Sequence, residues 1–147
     1  MACRKGNVPK VKECIRKGVD VNVQDNDGYS AAMIAIEEVK IGRFVESIEI
    51  LKILSEVEAF NWNLRDRMGR NVVNLVGTYL HDESLEILKK VKNLNWNAET
   101  IWHSTIAIDA VKYRNVELVK YLVERNDIDW NIKSEDYDGD IGVLSVI

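Results

Sequence analysis

The side chains with most chemical reach in this 147-residue sequence are two histidines, two cysteines and four tryptophans. Neither His81 nor His103 sits with Cys, Asp or another His at a metal-ligand spacing, so no zinc site is read from them. No Gly-x-Gly-x-x-Gly or Walker-type loop is present to cradle a phosphate, and no Gly-x-Ser-x-Gly elbow presents a nucleophile. Carboxylates are plentiful, but Glu37-Glu38, Asp82-Glu83 and the run from Asp136 to Asp140 read as solvated turns and helix ends. Asp82 and Asn115 are placed to cap the helices that follow them. Cys3 and Cys14 can pair in principle, and on neighbouring apolar helical faces they read as small core residues. This inventory predicts no catalytic residue, no metal and no cofactor.

What could position these side chains is a repeat. Val21-Asn22, Trp62-Asn63, Trp96-Asn97 and Trp130-Asn131 form one recurring phrase, at intervals of 41, 34 and 34 residues. Periods of this length mark stacked supersecondary units. Six residues after the first two asparagines stand Gly28 and Gly69, each ending an Asp-x-x-Gly turn that starts at Asp25 or Asp66. Asp136-Tyr137-Asp138-Gly139 repeats that turn with two residues inserted. Two apolar-periodic segments lie between turns. Ile106, Ala107 and Ala110 form one stripe, and Leu118, Val119, Leu122 and Val123 a second. Val72, Val73 and Val76, then Leu85, Leu88 and Val91, match them one unit earlier, and Val11, Cys14 and Ile15 open the chain. This spacing gathers apolar residues on one side of a helix. Helix pairs this small cannot bury their own stripes, so neighbouring units must stack and share one elongated core.

A period near 33, a turn ending in Asp-x-x-Gly, two helices and a closing Val-Asn resemble the ankyrin repeat, and residues 2–22 match the second half of such a repeat. The resemblance covers the whole chain. It implies an all-α ankyrin-repeat solenoid of stacked antiparallel helix pairs joined by turns or short hairpins. Residues 1–147 then form one array, with a partial unit at 1–24, an enlarged unit at 25–65, units at 66–99 and 100–133, and a partial unit at 134–147. The two ends fall partway through helices, near Ala2 and at Ile147, as expected for a fragment of a longer protein or for degenerate terminal units. The family's Thr-Pro-Leu-His phrase is eroded to Ser30-Ala31-Ala32-Met33, Asn71-Val72-Val73-Asn74 and Thr105-Ile106-Ala107-Ile108. Loss of the proline, whose preset φ suits the first helical position, predicts softer helix starts. His103 takes the turn-glycine slot, where a positive φ is expected and histidine is one of the tolerated residues. The seven extra residues of the enlarged unit fall around 39–47. They either lengthen both helices by about one turn or make a loop bent at Gly42.

The tryptophans follow from this frame. Trp62, Trp96 and Trp130 share one repeat position; their rings either pack between turns or cage a methylated lysine, and a ladder at one position suits packing. Trp102 lies at a turn tip and either anchors an interface or folds back on the neighbouring turn. By the resemblance, the turn tips and the exposed face of the first helices form a concave groove for a protein or peptide partner. Carried over by position, that strip holds Asn26, Asp27, Tyr29, Glu37 and Glu38; then Arg67, Met68, Arg70 and Tyr79; then Ile101, Trp102, Ser104, Lys112 and Tyr113. Tyr29, Arg67, Met68, Arg70, Tyr79, Trp102, Lys112 and Tyr113 are its expected partner-binding residues. The expectation is a non-enzymatic interaction module or scaffold. The alternatives are a reader of a modified peptide or small ligand built on the aromatic positions, and a non-binding scaffold segment of a larger protein.

Composition narrows the partners. Hydrophobic residues at 46% and charged residues at 30% give the balance of a globular domain rather than a disordered chain. With a net charge of −4 and its cations scattered among acids, the sequence has no basic stripe to neutralise phosphates, which argues against nucleic acid. Apolar runs of a few residues fall far short of the roughly 20 that cross a bilayer, and no charged-then-apolar signal segment opens the chain. A monomeric intracellular protein, cytoplasmic or nuclear and away from the membrane, is expected.

Overall fold

Each described apolar stripe folds into a helix, except that Val91 lies three residues beyond the end of α5. The computed structural model describes residues 2–79, 82–134 and 141–142. Among them are seven helices: α1 (Val8–Arg16), α2 (Ala31–Lys40), α3 (Phe44–Ser55), α4 (Val72–Tyr79), α5 (Asp82–Leu88), α6 (Ile106–Lys112) and α7 (Val116–Glu124). A two-residue antiparallel pairing of β1 (Lys133–Ser134) with β2 (Ile141–Gly142) is the one strand pairing among the described residues, whose other elements are all helices. His81, the Asp136–Gly139 turn, the acidic run to Asp140 and the helix expected at Ile147 lie outside the described residues.

Side chains replace the missing prolines at the helix starts. Ser30 Oγ accepts the Met33 N–H and Thr105 Oγ1 the Ile108 N–H, both at 3.4 Å. Asn71 and Asn74 cap each other: Asn71 Oδ1 accepts from the N–H of Val73 and Asn74, and Asn74 Oδ1 accepts the Asn71 N–H at 3.0 Å. Each oxygen satisfies first-turn donors that have no partner within the helix. Asn115 Oδ1 caps α7 by accepting the Leu118 N–H at 3.0 Å. Asp82 stands in the first turn of α5, where a carboxylate is favoured by the positive helix end.

Residues 2–6 form turns rather than the helix expected near Ala2; the Asn7 N–H reaches back to the Ala2 carbonyl around Gly6 at φ 60, the closing pattern of a helix end. In the enlarged unit, α2 has 10 residues and α3 has 12, against 7 and 9 for α6 and α7. Both helices are lengthened, and Gly42 at φ 92 makes the bend between them.

The helices pack pairwise, α2 on α3, α4 on α5 and α6 on α7, while α2, α4 and α6 form one row and α1, α3 and α5 a second. Met33, Ile50, Leu51, Leu75, Leu88, Ile106 and Leu122 are fully buried in the shared core. Gly77 permits the close approach of α4 to α6: a Cβ there would stand 2.9 Å from Ile106 Cγ1. One expected core position is exposed. Val123 is 63% exposed, because α7 buries Leu118 and Leu122 on its other side. No helix among the described residues is long and apolar enough to cross a membrane.

Candidate partner-binding surface

Three turns share one hydrogen-bond pattern. Asp25 Oδ1 accepts the N–H groups of Asp27 and Tyr29 at 3.0 and 2.8 Å, and Asp66 Oδ1 those of Met68 and Arg70, both at 2.9 Å. Thr100 Oγ1 does the same for Trp102 and Ser104 at 3.3 and 3.2 Å, so a hydroxyl reproduces the carboxylate's task with longer bonds. The turns close through the N–H of Gly28, Gly69 and His103, whose φ angles are 82, 72 and 57. His103 thus adopts the glycine conformation expected of its slot, and its Nδ1 bonds to Glu99.

Neighbouring turns are tied by main chain. The Arg67 N–H donates to the Asp27 carbonyl at 3.1 Å, and the Ile101 N–H to the Met68 carbonyl at 3.0 Å. The recurring asparagines make a second set of ties. Asn22, Asn63 and Asn97 donate from Nδ2 to the carbonyls of Ala59, Asn93 and Asp127 at 2.9, 2.8 and 2.6 Å. Their Oδ1 atoms accept the N–H groups of Asn61, Asn95 and Asp129 at 2.7, 2.7 and 2.8 Å. The asparagine side chain has a donor and an acceptor on one plane, which suits it to bridge two main-chain groups of the next unit. The tip side chains are therefore held in register from unit to unit.

The strip predicted from the sequence divides into two sets. Tyr29 and Arg70 are spent on each other: Tyr29 Oη donates to Glu37 Oε1 at 2.9 Å and accepts from Arg70 at 2.7 Å, and the guanidinium lies 5.7 Å from the Tyr29 ring centroid. Arg70 also pairs with Asp66 at 2.7 Å, whose side chain is 1% exposed. Burial, reinforced by the Glu37 bond, pushes the Tyr29 hydroxyl up to about 12. Burial opposes the Arg70 charge, but Asp66 outweighs it and keeps that group raised. Arg70 and Tyr29 are thus an internal tie between two units and not open partner-binding groups. Tyr79 packs half-buried against the core. Glu38 is not solvated either: it is buried and bonded to Arg43 at 2.6 Å, while Glu37 is half-buried and holds Tyr29 Oη.

The second set is open. Arg67 is exposed, Met68 is 41% exposed and Trp102 is 52% exposed; Ile101, which belongs to the strip but not to its expected binding residues, is 57% exposed. They follow one another along the tied tips. Lys112 and Tyr113 are exposed at the far end of α6. The sequence signal for Ile101 is its place in the variable pair of the turn, equivalent to Asn26 and Arg67.

The tryptophan ladder packs inward. Trp62 meets Phe60 edge-on at 4.9 Å and Trp96 meets Tyr121 at 5.4 Å, with Arg125 over the Trp96 ring at 4.9 Å; Trp130 is half-buried against the core. Cys3 is buried and Cys14 half-buried, both as free thiols; burial pushes the Cys3 thiol up to about 11. The two cysteines border an apolar cavity of about 320 Å³ with Val11 and Ile15. In comparisons with known proteins, no family model and no curated protein matches the chain.

Proposed function

We propose that this chain is an ankyrin-type repeat array that works as a protein-interaction module, without catalysis of its own. The observation that carries this reading is the tip row: Met68, Ile101 and Trp102 expose apolar area on turns whose main chain is bonded to its neighbours. A platform already ordered loses little further conformational entropy when it is covered, and tryptophan is among the residues that dominate interface energetics. The ankyrin assignment draws support from the repeat period, the two rows of helices and the same turn pattern built three times. The partner is a protein or peptide lying over the tips and along α2, α4 and α6.

Pull-downs with the wild type and with a Met68→Ala/Trp102→Ala double variant, both shown to melt alike, test this. Partners retained by the wild type and lost by the variant are expected; an identical partner set for both would remove the tip row as the binding surface.

A further inference from the structure

Resting on that interaction reading, we infer that the partner segment is acidic as well as apolar: a bulky apolar side chain sits on Met68, Ile101 and Trp102, and an Asp or Glu beside it pairs with Arg67. The argument is one of unspent charge. On the tip side of these two units Asp66 is spent on Arg70, while Glu99 is held in place by a bond to His103 and Asp109 by one from Ser104 Oγ at 2.7 Å. Arg70, the second arginine of the same turn, is neutralised by Asp66 and directed at Tyr29. Arg67 is exposed, adjoins Met68 in sequence, and makes no ion pair among the described residues.

The chain's net charge of −4 would by itself favour a basic partner, so the local and global charges make opposite predictions. The local charge decides, because complementarity acts at contact range while charges beyond about 8–10 Å are screened at physiological salt. Exposed Asp27, on the next tip, sets the direction: it repels a second carboxylate placed beyond Arg67, so the acidic residue is confined to the Met68 side.

The test is to pan a random seven-residue peptide library against the immobilised full chain, in parallel with Arg67→Glu and Trp102→Ala variants that melt like the wild type. The wild type is expected to enrich peptides with Asp or Glu within two residues of a large apolar residue. Arg67→Glu should switch that bias to Lys or Arg, and a peptide selected on the wild type should bind it about three- to tenfold more weakly by tryptophan fluorescence. Trp102→Ala should lose these peptides altogether. Apolar peptides enriched without acid bias, or a bias that Arg67→Glu leaves unchanged, would overturn the acidic inference while the tip row stands. Enrichment that survives Trp102→Ala, or none on the wild type, would overturn both.

Discussion

His103 holds a backbone φ of 57, a conformation that costs an L side chain about 1–2 kcal/mol relative to glycine. Its exposed bond to Glu99 returns little of that. His103→Gly is therefore expected to stabilise the fold by about 0.5–1 kcal/mol in urea unfolding. The reverse change two turns away is punishing: a Cβ on Gly28 would meet Asp66 Cα at 2.9 Å, and Gly28→Ala should lose at least about 2 kcal/mol in the same measurement. Asp25 supplies a pH signature. Burial pushes its carboxyl up, but the N–H groups of Tyr29 and Asp27 and the Arg4 ion pair at 2.8 Å hold it below the usual range. A carboxyl lowered on folding stabilises the protein above its unfolded value, roughly pH 4, and that stability is lost as the pH falls through the folded value. Between pH 5 and pH 2.5, Asp25→Asn should show a smaller drop in urea midpoint than the wild type; equal drops would remove Asp25 as a source of acid sensitivity.

At the scale of elements, units are joined by paired bonds from single asparagines as well as by helix packing. Asn63 donates to the Asn93 carbonyl and accepts the Asn95 N–H, so Asn63→Ala removes two ties while leaving every helix and its cap intact. A loss of about 1–2 kcal/mol is expected, read as a lower urea midpoint with unchanged helical circular dichroism. That helices would form at the apolar stripes was legible in the sequence, because periodicity and capping residues are local. The lengthening of both α2 and α3 was not. Seven extra residues fit a loop or two longer helices equally well until the row formed by α1, α3 and α5 gives α3 something to pack against.

For the whole molecule, binding and stability should separate by residue. Trp102 is 52% exposed on a turn held by other atoms, so Trp102→Ala is expected to change stability by less than about 0.5 kcal/mol while abolishing partner capture. Arg70→Ala should do the opposite. It leaves the buried Asp66 carboxylate unpaired and cuts the bond to Tyr29, a loss of about 2–4 kcal/mol. If titration calorimetry with an identified partner gave Arg70→Ala a binding defect without any loss of urea midpoint, the assignment of Arg70 to the fold would fail.

The helices and the glycine-like conformation of His103 were readable from residues in order, because each depends on neighbours a few positions away; the period and the inward packing favoured for the tryptophan ladder were readable from the recurrence of one phrase along the chain. Which members of the predicted strip remain open was not. Tyr29 and Arg70 lie 41 residues apart, as do Gln24 and Arg65, which bond through the Arg65 carbonyl. A charge or hydroxyl stays available only if the next unit brings no partner to it. Stacking brought Asp66, Arg70, Tyr29 and Glu37 together and consumed them, and it left Arg67, Met68, Ile101 and Trp102 facing out.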